Sequence, residues 1–242
     1  RKAIALAVDQ EELVAHVLNG QGVTASAGLL SENLTDFYNP DSDILRTKPL
    51  ADRLVEANQL LDEIVPNKDN QGYRLLDGKR IKYEILGGPQ NMELISRLEV
   101  QLQKIGIEVA FKMQGSSPEK TYIFKSNFDM TLHLVIFSLE NADIMYKAHF
   151  IDLSNSSNYG RLNNREIRDK INEMRLSLNL HHKYEILEEL QELLAYQYYK
   201  IPLYSANVLS VARTDRYEGY VVVNGGSIFN TESLRNLKRV EG

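Results

Sequence analysis

The sequence predicts an α/β fold in which a mixed β-sheet is covered by helices on both faces and followed by a β-rich C-terminal tail. Three features of the sequence predict it. A hairpin signal, a helical period and an alternating run follow one another between Tyr73 and Met113, and strand, helix, strand in that order implies a crossover with at least one parallel pair. Amphipathic helical patterns flank this unit in the chain. The run from Phe128 to Phe137 is apolar on both alternating faces near its end, as expected of a central strand buried on two sides.

The elements follow in order. Residues before Asp9 are apolar and helical, and Asp9 with Glu12 has the spacing of an N-cap and its reciprocal partner. The helix that starts there carries Leu13, Val14, Val17 and Leu18 on one face and stops at Gly20. Residues 22–48 read as loop, with YNPDSD as turn chemistry. After Pro49, the residues Leu50, Leu54, Ala57, Leu61 and Ile64 recur at helical spacing until Pro66. Asp77-Gly78 sits between two extended runs and supplies the positive φ angles of a tight hairpin. A helix from Met92 to Ile105 buries Leu94, Leu98, Leu102 and Ile105, Gly106 ends it, and IEVAFKM alternates as a strand. Two later helices, one with Ile167, Ile171 and Met174 inward and a longer one broken by Pro202, read as sheet-covering. From Asn207 the runs VLSVAR and YVVV read as strands with few partners in the chain, which sets a soft boundary near Tyr204.

With 242 residues, 43% of them apolar, the chain is long enough for one large domain or two small ones. A net charge of −5, from 33 acids and 28 bases spread along it, leaves no footprint for a phosphate backbone and argues against nucleic acid. The absence of cysteine excludes disulfides and thiolate metal sites. Apolar runs such as LVIF and YVVV fall far short of the roughly 20 residues that span a bilayer. The chain opens at Arg1 inside a helical pattern and without methionine, which points to a lost N-terminus.

Few residues carry chemistry by pattern alone. Adjacent His181 and His182 point about 100° apart on a helix and cannot chelate one ion, so they read as a solvated helix start and no metal is expected. His133, within a strand pattern, reads as a hydrogen-bonded structural residue. Two glycosylation sequons, at Asn33 and Asn155, carry little weight because three positions match by chance. Glu140 and Asp143 could serve as an acid and a base for glycoside hydrolysis, or stand as plain surface charge. Their place beyond the carboxyl end of a strand favours a cation-binding role, since ligands of α/β sheets gather there. No nucleophile elbow, phosphate loop, zinc helix or dinucleotide fingerprint is present, so binding is expected in preference to catalysis, with no cofactor.

The opening RKAIALAVDQEELVAHVLNGQGVTASAG combines an arginine-led apolar helix, an aspartate capping the next helix, and Gly-x-Gly before a small-residue loop. The stretches ADRLVEANQLLDE, LISRLEVQLQKIGIEVAFKM, SNYGRLNNREIRDKINEM and ILEELQELLAYQYYKIPLY follow in order. In these features the whole chain resembles the family 5 extracellular solute-binding proteins, the peptide and nickel receptors of bacterial ABC importers. The resemblance implies a type II periplasmic-binding-protein-like lobe, with residues 1–206 as the third, C-terminal lobe and 207–242 as a segment that returns to the first. It implies capture of short peptides between lobes, delivery to an ABC permease, and a place on the periplasmic or extracellular face of the membrane as a lipoprotein. It places Phe137 where peptide binders carry a tryptophan, with Ser138 beside it, and Glu140 where an aspartate pairs with the peptide α-ammonium. Asp143 corresponds to a second acid, followed by Ile144 in place of proline, and Asn158 and Gly160 match a polar segment near the cleft. Nickel chelates, oligosaccharides or another small solute in the same fold, a sensor domain, and a carboxylate-dependent hydrolase are the alternatives.

Overall fold

Asp9 ends one helix and begins the next, as its side chain and spacing predict. Helix α1 (Lys2–Ala7) stops at Val8, and the Asp9 carboxylate accepts the Glu12 N–H at 3.1 Å to cap α2 (Gln10–Val17). The reciprocal half of the expected capping box does not form. Glu12 reaches instead to Arg97 at 2.7 Å and Gln101 at 2.8 Å, and the Asp9 N–H donates to Gln101 at 3.0 Å. A tertiary partner has displaced a local one. The computed structural model in which this is seen describes residues 1–30, 32, 38–113, 128–135, 142–152, 157–223 and 226–240.

Strand β1 (Gly22–Val23) pairs antiparallel with Ser205–Ala206, and a Cβ on Gly22 would lie 2.6 Å from the Ser205 carbonyl oxygen, so only glycine fits. Helix α3 (Leu50–Asp62) follows Pro49. Strands β2 (Leu75–Leu76) and β3 (Lys79–Arg80) close over Asp77 and Gly78, whose φ angles of 51° and 75° are those of a type I′ turn. Then β4 (Lys82–Gly87), α4 (Met92–Gln103) and β5 (Glu108–Met113) form the expected crossover, with β4 and β5 parallel. Gly106 turns the chain between α4 and β5 at φ 80°, where a Cβ would meet Arg74 Cγ at 2.7 Å.

Among the described residues the expected central strand is placed differently. Of the run from Phe128, Met130–Thr131 forms a strand there, β6, and it pairs parallel with β4 in the order β5-β4-β6, so among the described strands β4 is central and β6 has one partner. Leu134 is 79% exposed. The main sheet is parallel throughout its described strands, and the antiparallel pairs are two-residue ladders apart from it.

Apolar residues gather in two cores. The first joins α1 to α4 with the sheet through Leu6, Leu13, Ala57, Ile85, Leu98, Leu102 and Val109. The second lies between α5 (Ala142–Phe150), α6 (Arg165–Leu176) and α7 (Leu180–Ala195), through Tyr146, Ile167, Ile171, Met174, Ile186 and Leu190. Helices α6 and α7, expected to cover the sheet, bury their stripes against each other and α5 instead. An amphipathic stripe requires an apolar partner and does not say which. Asn164 and Asn179 cap α6 and α7, the latter by accepting the His181 and His182 N–H groups.

The body ends with β7 (Ser205–Ala206), the partner of β1, and the tail contains β8 (Tyr217–Glu218), α8 (Thr231–Asn236) and β9 (Lys238–Arg239), with β8 and β9 paired antiparallel. VLSVAR and YVVV, read as strands, are irregular here, and Val211 is 88% exposed. The architecture as a whole is mixed α/β, with helices and small sheets.

Candidate functional site

The chain leaves β6 past Leu134 and enters α5 at Ala142. Between them, Phe137, Ser138 and Glu140 lie outside the described residues. Helix α5 buries Ala142, Tyr146, His149 and Phe150, whose spacing puts them on one side, and the Tyr146 hydroxyl donates to the Gly28 carbonyl at 2.6 Å. That fixes the roll of the helix. Asp143, in its first turn, is half-buried and makes no hydrogen bond or ion pair to a described residue. An acid in this turn is also favoured by the N-terminal partial charge of the helix. Ile144 beside it is 56% exposed.

Asn158 is buried, and both ends of its amide engage Leu162: Oδ1 accepts the Leu162 N–H at 2.9 Å and Nδ2 donates to the Leu162 carbonyl at 3.0 Å. It holds a turn in which Arg161 has φ 51°. Gly160 is exposed, and a Cβ there would stand 3.1 Å from the ring of Tyr199. Asp143 thus lies on α5 while Asn158 and Gly160 shape the turn ahead of α6.

At the start of α7, His181 is exposed and faces Glu185, while half-buried His182 faces Glu185 and Glu173, and the hydrogen bonds of His182 to these carboxylates, Glu185 first, raise its proton affinity. His133 is hydrogen-bonded, as read from its place in the sequence, but its partner was not foreseen. Lys200 Nζ lies 3.3 Å from His133 Nδ1, 2.6 Å from His149 Nδ1 and 3.2 Å from the Ser157 carbonyl. Burial lowers the Lys200 pKa to about 7. Burial, and then the charge of Lys200, lower His133 to about 4 and His149 to about 3. The signal in the sequence was a lysine set between tyrosines and an isoleucine, in YYKIP.

Residues 1–156 match the model of the bacterial extracellular solute-binding proteins, family 5, middle region. The chain belongs to this family. Solved structures with its fold include NikA from Brucella suis in complex with Fe(III)-EDTA, at TM-score 0.69 and 22% identity over 85% of this chain and 41% of that one. A periplasmic oligopeptide-binding protein from Thermotoga maritima, with mannohexaose bound, matches at 0.73 and 19% over 90% and 43%. AppA, the oligopeptide-binding protein of Bacillus subtilis in complex with a nonapeptide, matches at 0.69 and 19% over 99% and 47%. The chain spans less than half the length of each of these proteins. No curated protein matches it. Family and fold are those that the order of motifs implied.

Proposed function

We propose that this chain is a lobe of the solute-binding subunit of a bacterial ABC importer, that it takes short peptides into a cleft between lobes, and that a membrane permease receives them. Residues 1–206 form the lobe in this reading. Residues 207–242 pack on a further lobe, which accounts for the exposure of Val208, Leu209, Val222 and Phe229. Glu140 meets the α-ammonium of the peptide, Phe137 and Ser138 line the wall, Asp143 adds a second negative charge, and Asn158 and Gly160 form the rim. The protein works by binding and catalyses nothing, at the periplasmic or extracellular face of the membrane and held there by a lipid anchor.

The observation that carries the reading is Asp143: a half-buried carboxylate in the first turn of the helix that follows β6 in the chain, with no cation against it among the described residues. Exposed Leu134, after β6, and Ile144, on α5, supply apolar surface for a ligand. An enclosed carboxylate facing an ammonium contributes about 1.5–3 kcal/mol, so blocking the ammonium lowers affinity about tenfold to a hundredfold.

Calorimetry on the protein with its remaining lobes, using short peptides and their N-acetylated forms, tests it. Acetylation is expected to weaken binding, and Glu140→Gln to remove the difference. Equal affinity for both forms would contradict the ammonium anchor and favour another small solute, such as a metal chelate or an oligosaccharide, for which Phe137 in the tryptophan position already speaks.

A further inference from the structure

Three parts of the chain meet at Lys200: the residues after β6, the C-terminal end of α5, and the segment that follows α7. A lysine ammonium has three N–H donors and no acceptor. Here His133 Nδ1, His149 Nδ1 and the Ser157 carbonyl supply three acceptors, at 3.3, 2.6 and 3.2 Å. Both rings must then be neutral and carry their proton on Nε2. Tyr159 lies against His133 with centroids 4.6 Å apart and planes tilted by 51°, the two imidazoles are 5.2 Å apart, and the Phe150 ring is 5.6 Å from Nζ. His149 is 3% exposed. Among the described residues no carboxylate faces any of the three nitrogens. The nearby charges are engaged elsewhere, Lys147 with Asp152 at 3.6 Å and Arg1 over the ring of Tyr199 at 4.5 Å.

Position gives the cluster its consequence. His133 follows β6 of the sheet, His149 is buried on α5, whose Tyr146 and Phe150 belong to the helical core, and Lys200 lies between Tyr199, packed on the helical core, and Ile201, packed on the sheet core. We propose that Lys200, His133 and His149 form an acid-sensitive latch that joins the two cores and seats α5 against the end of the sheet. A proton added to either ring turns an acceptor into a donor and sets two cations against each other at hydrogen-bond distance. The latch then opens.

The sign follows from proton linkage. Both histidines bind protons less readily in the fold than at the free value of 6.5, so the unfolded chain holds more protons below pH 6.5. Their stabilisation is complete above pH 6.5 and is lost as pH falls toward about 4 for His133 and about 3 for His149. Lys200, lowered from 10.5 to about 7, adds a second rise in stability with pH between those values. Each histidine changes the folded-to-unfolded ratio by up to about tenfold per pH unit.

Urea unfolding of the chain between pH 4 and 6.5 tests the latch, comparing wild type with His133→Gln, His149→Gln and Lys200→Met. Glutamine keeps an acceptor for the ammonium and cannot titrate, so each histidine variant is expected to lose stability on acidification more gently, by up to about tenfold per pH unit. Lys200→Met is expected to reduce the slope as well, by relieving the charge on the rings. Slopes parallel to wild type in all the variants would overturn the proposal. Where a variant does not fold, proton NMR of the wild-type histidine rings decides: two of the five histidines are expected to remain neutral at pH 5, and all five titrating near 6.5 would overturn it.

Discussion

The body of the chain, residues 1–206, and its tail, 207–240, are written with similar apolar patterns and come out differently. In the body, Leu13, Ile105, Ile171 and Leu190 are 0% exposed. In the tail, Val208, Leu209, Val211, Val222 and Phe229 are 60%, 71%, 88%, 79% and 71% exposed. Alternation in VLSVAR and YVVV suits a strand, but a strand needs a neighbour for its N–H and C=O groups. The regular parts of the tail are those that bring their own partner. Strands β8 and β9 pair with each other, and α8 is capped by Asn230, whose side chain accepts the Ser233 N–H at 2.9 Å. Periodicity states a preference; a partner makes the element.

Substitutions sharpen this contrast, and the largest effect is expected deep in the body. Arg74 is fully buried and donates to the carbonyls of Ile105 and Val65, at 2.8 and 2.7 Å, and to Asn58 and Asp62. Arg74→Met removes the donor to the buried Ile105 and Val65 carbonyls and should cost about 4 kcal/mol in denaturant unfolding, from about 1–3 kcal/mol for each buried acceptor. Ile171→Ala opens a cavity between α6 and α7 and should cost about 3 kcal/mol by the same measurement. Asn179→Ala removes the cap of α7 and should cost about 1 kcal/mol. Phe229→Ser, on the exposed tail, should change stability by less than about 0.5 kcal/mol. A tail substitution as costly as Ile171→Ala would erase the contrast.

Local chemistry was legible where it is decided locally. Asp77-Gly78 specified its turn, Asp9 its cap and Gly106 its stop, and the crossover from β4 through α4 to β5 followed from their order. What depended on distant partners was not legible. The apolar run from Phe128 announced burial but could not say that β4 is the centre among the described strands. The stripes of α6 and α7 announced a core but not that it is separate from the sheet. Glu12 had the spacing of a capping box, yet Arg97 and Gln101 on α4 took its carboxylate. At the candidate site, Asp143 read as an acid that follows a strand in the chain, and it stands in the first turn of α5. Lys200 was not, because a lysine reads as solvated until two rings from elsewhere in the chain converge on it.

Native-state hydrogen exchange, read residue by residue, tests most directly whether the tail belongs to a body other than the one described. The account predicts slow exchange in β4, β5 and α4 and fast exchange from Val208 to Val211 and at Val222 and Val223, with protection of those segments appearing once the remaining lobes are present. Protection of those tail amides equal to that of β4, in a monomer of these 242 residues, would contradict it.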